Sequence, residues 1–263
     1  MTPILVFDIE TIPDVAGIRR LWEIDPAVDD AAVAELAAQR RRQATGSDFL
    51  PTHLHRVVAI SCALRERDGV RVWSLGAPAD GEAALVKRFF DGIDKYTPQL
   101  VSWNGSGFDL PVLHYRALMH GIVASRYWDL GEDDREFKFN NYLARYHTRH
   151  IDLMDLLASY QNRAFAPLDE IAQLNGLPGK LGMDGSKVWD AWREGKIGAI
   201  RDYCETDVAN TYLLYLRFQR MRGQLSPEAH DREVALFRAF LAAQEAPHWR
   251  EFDEAWAKAT APG

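Results

Sequence analysis

The chain has 263 residues, 47% hydrophobic and 26% charged, which suits one large globular domain or a domain with a helical appendage and allows a full core. It contains no run of about eighteen apolar residues, and MTPILVFDIET enters a strand-like segment with no basic leader or cleavage site, so the expectation is a soluble cytoplasmic protein. A formal charge of -7, from 38 acidic against 31 basic residues, argues against holding duplex DNA by non-specific charge, but not against an enzyme whose carboxylates carry metal ions.

The first predicted element is ILVFDIE (4–10), short, apolar and β-branched, as a central strand ending at a site is. From Pro13 to about His55 the chain turns acidic, then alanine-rich, then basic, and AAVAELAAQRRRQ predicts helix, so 13–55 is expected to be a helical insertion. RVVAISCALRE and GVRVWSLG are β-branched runs around Arg67, Asp68 and Gly69, which favours a hairpin. DGEAALVKRFFDGIDKY is helical in period, QLVSWNG is a further buried strand and LPVLHYRALMHG a helix, giving a mixed α/β sheet covered by helices. After about residue 150 the pattern is almost wholly helical, through IDLMDLLASYQ, PLDEIAQLNG, SKVWDAWREG and a long amphipathic stretch from Ile197 to Arg222. PEAHDREVALFRAFLAAQ adds a last helical block. Cys62 and Cys204 are too few for a disulfide framework or a zinc cluster and are expected to be buried structural thiols.

Three separated patterns carry chemistry. In FDIET, Asp8 and Glu10 are two apart on a strand, so both carboxylates point to one face and can hold a hard cation together; side by side without one, they repel. In WNGSGFDLPVL, a strand runs through Asn104 to Phe108 and Asp109, the last placed near a helix N-terminus, where a simple capping role is the alternative. In DYCETDVANTYLL, Tyr203 and Asp207 are four apart on a helix and share a face, although such a pair alone carries little weight.

A strand DxE, then NxxxFD after a later strand, then YxxxD on a late helix resembles the DEDD exonuclease superfamily in its tyrosine-bearing subgroup. The sister subgroup has histidine five residues before the last aspartate, and here that residue is Asp202. The chain is most similar to stand-alone bacterial proteins akin to the proofreading exonuclease domain of family B DNA polymerases. HIDLMDLL, MDGSKVW and YCETDVANTYLLYLRF add to the likeness, which runs from FDIET to about Arg222.

The resemblance implies a ribonuclease H-like mixed β-sheet flanked by helices. It places the exonuclease domain at residues 1–223, with the 13–55 insertion, and leaves 224–263 as a helical C-terminal extension. It also implies that Asp8, Glu10, Asp109 and Asp207 bind two divalent cations, Mg²⁺ or Mn²⁺, and that Tyr203 orients the attacking water. With two ions about 3.5 to 4 Å apart, Asp8 is expected to bridge both, Glu10 and Asp207 to complete the site that holds the water, and Asp109 to support the second. The expected substrate is the 3′ end of a single nucleic-acid strand, DNA favoured, and the product a nucleoside 5′-monophosphate.

Thr11, Asn104 and Phe108 lie beside these acids and Trp103 adjoins the second motif; they are candidates for substrate contact, with loop or core packing as the alternative. Asp152 and Asp155 are expected to cap or support, and His53 and His55 to serve at the surface or as caps. Arg40 to Arg42, Arg145 with Arg149 and His150, and Lys180 with Lys187 are the candidates for phosphate contact. The rival functions are a silent nucleic-acid-binding module, marked by loss of an acid, and a small-substrate phosphohydrolase, which Glu10 and the YxxxD pair disfavour.

Overall fold

Ten residues with only Asp8, Glu10 and Thr11 polar make β1, Ile4–Pro13, the centre of the sheet. The computed structural model describes residues 2–259; Met1 and residues 260–263, the tip of the expected C-terminal extension, lie outside it. Helices α1 (Val15–Trp22) and α2 (Asp30–Thr45) follow, then β2 (His55–Glu66), β3 (Gly69–Ser74), α3 (Glu82–Tyr96), β4 (Gln99–Ser102), α4 (Asp109–His120) and α5 (Ser125–Trp128). The remainder is β5 (His150–Asp152), α6 (Leu153–Leu157), α7 (Leu168–Leu174), α8 (Val188–Arg193), α9 (Ile197–Met221), α10 (Pro227–Ala242) and α11 (Pro247–Ala259).

The strands lie in the order β3-β2-β1-β4-β5, with β2 and β3 antiparallel to their neighbours and β1, β4 and β5 parallel. This is the mixed, helix-flanked, ribonuclease H-like sheet anticipated from the sequence. Arg67 and Asp68 close the β2–β3 hairpin, Glu66 pairing with Gly69. Strand β1 runs past its expected end because Thr11, Ile12 and Pro13 go on pairing with β2 beyond a bulge at Val58, the register shifting between Glu10 and Thr11.

Alternation along β1 divides the core. Leu5, Phe7 and Ile9 pack with Val86, Phe89 and Phe90 of α3 and Val112 and Leu113 of α4. Val6 faces the other way, against Val208, Tyr212 and Leu213 of α9, where α10 and α11 add Phe237, Trp249 and Phe252. The two insertion helices close over a small cluster of their own, Ile18, Val33, Ala37, Leu50 and Leu54. Beneath them, buried Arg116 pairs with Asp14 at 2.5 Å and with Glu82, joining the insertion to α3 and α4.

The helical expectation for IDLMDLLASYQ is corrected at its start. His150, Ile151 and Asp152 form β5, paired with Leu100, Val101 and Ser102 of β4, and helix begins only at Leu153. Its apolar run satisfies both periods, and the open edge of β4 decides for strand. Among the described residues no helix is long and apolar enough to cross a membrane.

Candidate active site

The face of β1 that carries Val6 continues into Asp8 and Glu10, so the strand turns its acids toward α9 at the point where its apolar contacts with that helix end. The parallel partners β4 and β5 end on the same side, and each adds to the site from its carboxyl end. Helix α9 meets them with Tyr203, Cys204 and Asp207, all buried. Carboxylate oxygens of Asp8 and Glu10 and the Cys204 Sγ lie within 4.8 Å of one another. The Cys204 thiol points at Asp8, with Sγ 3.5 Å from the carbonyl oxygen and 3.6 Å from Oδ2.

Asp109 reaches the cluster from a tight loop after β4. Asn104 sits in the left-handed region at φ 64, a conformation asparagine tolerates. At Gly105 a Cβ would stand 2.3 Å from the Ser102 Oγ, so only glycine fits. The loop is held by Asp152, which accepts the N–H groups of Asn104 at 3.0 Å and Ser106 at 2.8 Å while also capping α6 through Met154 and Asp155. Asp152 is thus both the cap and the support expected of it. Asp109 is the first residue of α4, with Phe108 as the cap residue, and its Oδ1 accepts the Ile9 N–H at 3.1 Å. That bond ties α4 to β1 and sets the Asp109 carboxyl beside Asp8.

One cleft of about 720 Å³ is lined by Asp8, Glu10, Asp109, Tyr203 and Asp207 and by Trp103, Asn104 and Phe108. Trp103 is also a core residue, its Nε1 donating to the Ala166 carbonyl at 3.1 Å. Thr11 is not among the lining residues; its hydroxyl pairs with His55 Nδ1 at 2.9 Å. His55 is buried there, also bonds the Leu50 carbonyl, and stands edge-on to Phe108 at 5.0 Å, while His53 packs near the Tyr115 ring.

The acids are held in an uncomfortable state. Burial raises the Asp8 carboxyl well above the ordinary range, and the charges of Asp109, Glu10 and Asp207 raise it further. Glu10 is raised by burial and by Asp207, with Lys180 offsetting in part. Burial carries Asp109 to about 7 against the Ile9 N–H, and Asp207 to about 6 against Lys180 and a hydrogen bond with Tyr203. The Tyr203 hydroxyl is pushed far up by burial and by the neighbouring acids, so it keeps its proton. Asp207 Oδ1 is buried with no hydrogen-bond partner. An all-oxygen set of crowded acids with an orphaned oxygen suits a hard divalent cation.

Asp169, Asn210 and Phe49 were not singled out by sequence, whereas Lys180 was. Lys180, expected only as a phosphate contact, lines the cleft with its Nζ 5.5 Å from the Tyr203 ring centre, and Asp169 lies beside it. The loop carrying Lys180 is pinned to α9 by Asn210, whose side chain bonds both the N–H and the carbonyl of Gly179. Asn210 shares a helix face with Tyr203 and Asp207, a signal that becomes usable only once its partner is known. Phe49 of the insertion packs with its ring tilted against Phe108, centres 5.3 Å apart, while remaining exposed.

The other basic candidates are more occupied. Lys187 pairs with Asp184, Arg42 with Asp48 and Arg145 with Asp155; Arg40 lies over Trp22, and Arg41 bonds the Phe49 carbonyl. Arg149 is packed on Phe137 and His150 is bonded to Ser102.

Residues 47–256 match the model of a family described as "Predicted 3'-5' exonuclease related to the exonuclease domain of PolB". The chain belongs to this family. The match includes Asp109, Tyr203 and Asp207, whereas Asp8 and Glu10 lie before it and are joined to the others by the fold. Among curated proteins no relative matches. Among solved structures, the family B DNA polymerase from the hyperthermophilic archaeon Pyrobaculum calidifontis aligns with 81% of this chain at 18% identity and a TM-score of 0.49. The aligned part is 24% of that polymerase, so the chain spans about a quarter of its length.

Proposed function

We propose that this member of the PolB-related exonuclease family is a metal-dependent 3′-to-5′ exonuclease that removes nucleoside 5′-monophosphates from the 3′ end of a single strand, DNA favoured. The observation that carries the reading is the convergence of Asp8, Glu10, Asp109, Asp207 and Tyr203, from three distant segments, on one cleft. Asp8, Glu10, Asp109 and Asp207 hold two divalent ions, Mg²⁺ or Mn²⁺. Bound there, such ions supply neutralisation of the phosphodiester, a nucleophile near neutral pH and stabilisation of the leaving alkoxide.

The chain's own groups do the rest. Tyr203 keeps its proton and positions the attacking water through its hydroxyl. Lys180 offers a positive charge to the phosphate at the cleft wall. Asn104, Phe108 and Trp103 receive the terminal nucleotide, and Thr11 acts through His55, which backs the Phe108 ring. In this reading residues 1–223 are the exonuclease domain, 13–55 its insertion, and 224–263 a C-terminal extension whose helices α10 and α11 buttress α9.

The test is gel analysis of 5′-labelled single-stranded DNA and RNA with Mg²⁺ or Mn²⁺, for wild type, Asp8→Ala and Asp207→Ala. A metal-dependent ladder lost in both variants supports the reading and names the preferred sugar. Intact substrate in every lane favours the silent binding module, and release of inorganic phosphate favours a phosphohydrolase.

A further inference from the structure

Beside the loop that carries Asn104 lies a second groove, of about 560 Å³. Asn104 and Phe165 belong to the walls of both, so the groove continues the catalytic cleft. Its surface combines two features that single-strand binding uses, open aromatic faces and cations. Tyr146 is 78% exposed and stands edge-on to Tyr160, ring centres 5.1 Å apart. Arg145 lies 4.7 Å over the Tyr160 ring and pairs with Asp155 at 3.0 Å, yet its side chain stays 49% exposed. Arg222 lines the groove as well and is exposed. The acids here, Asp152 and Asp155, are buried and engaged, so the charge presented outward is that of the guanidiniums.

The mostly exposed ring of Tyr146 adds little to the core, and a net charge of -7 makes an outward-facing arginine pair beside the acidic cleft a local exception. We infer that this groove binds the single strand upstream of its 3′ end, bases stacking on Tyr146 and Tyr160 while Arg145 and Arg222 meet phosphates. The inference rests on the exonuclease reading for the placement of the 3′ end. It adds a reason for strand selectivity, because bases stacked inside a duplex have no free face to offer the tyrosines.

The test compares wild type with Tyr146→Ala, a change at an exposed ring that leaves the core intact. With Mn²⁺, trimming is followed on a dinucleotide and on an octathymidylate. The expected result is a rise of about tenfold in KM for the octamer with kcat and dinucleotide cleavage unchanged. An equal effect on both lengths, or none, overturns the inference while leaving the nuclease standing. If wild type cuts neither, anisotropy of fluorescein-labelled octathymidylate in EDTA decides. Weaker binding by Tyr146→Ala then supports the groove although the nuclease reading has failed, and equal binding overturns it.

Discussion

Replacing Asp207 by asparagine is expected to stabilise the metal-free protein at pH 8 while abolishing nuclease activity. Burial raises the Asp207 carboxyl from its ordinary 3.8 to about 6. The folded state therefore holds this proton to higher pH than the unfolded chain does. Across the window from about pH 4 to 6 the unfolded state binds fewer protons, so stability falls as pH rises and the full penalty is present above about pH 6. At 1.36 kcal/mol per pH unit, that penalty is about 3 kcal/mol. A neutral amide of the same shape removes it, and for a chain of this size the midpoint of thermal unfolding rises by about 5 °C or more. The assay is thermal unfolding in EDTA at pH 8 and at pH 4, where the difference shrinks because the native carboxyl is then protonated. In Mn²⁺ the order reverses, since wild type gains stability from binding the ion and the variant gains less. An Asp207→Asn protein less stable than wild type at pH 8 in EDTA would refute the idea that burying this charged carboxyl without a cation costs stability.

Tyr203→Phe removes the hydroxyl beside Asp207 and is expected to slow single-turnover cleavage by about ten- to a hundredfold with little change in KM; an unchanged rate would leave the phenol only a packing role. Gly105→Ala drives a Cβ to within 2.3 Å of the Ser102 Oγ, so urea unfolding should show a loss of about 1–3 kcal/mol, and the displaced Asp109 should lower activity at temperatures where the variant stays folded. Arg116→Leu leaves buried Asp14 without its cation and Glu82 with His120 alone, and a loss of about 3–5 kcal/mol in the same assay is expected, against nearly none if water reaches the pair.

What the sequence disclosed follows the range of the interactions involved. The placement of Asp8 and Glu10 on one face is a property of strand geometry alone, and the shared face of Tyr203 and Asp207 is a property of helix geometry alone, so both were legible locally. Strand β5 was missed because three residues, of which only Ile151 is apolar, are too few to separate a strand period from the helical one that follows, and the free edge of β4 selects their conformation. Asn210 was missed because its bond to Gly179, which holds the loop carrying the anticipated Lys180, spans 31 residues. Arg145 was already a phosphate-contact candidate, whereas Tyr146, Tyr160 and Arg222 looked like any solvated segment until the fold laid them beside the groove that Asn104 lines.

The cluster of acids also accounts for features of the fold that look excessive for a site of this size. Ionised carboxylates packed together push β1 and α9 apart, and each of these is anchored by apolar contacts. Leu5, Phe7 and Ile9 hold β1 to α3 and α4, and Val208, Tyr212 and Leu213 hold α9 to the opposite face of the sheet. At about 1.5–3 kcal/mol for each large apolar side chain, a few such residues outweigh the repulsion near any one acid. Direct contacts then set aim more than strength: the Ile9 N–H fixes Asp109, the Cys204 thiol fixes Asp8, and Asp152 fixes the loop between them. Substitutions among the apolar anchors should therefore lower stability and activity together, whereas Asp152→Asn, which weakens the grip on Asn104 and Ser106, should lower activity at temperatures where the core is still intact.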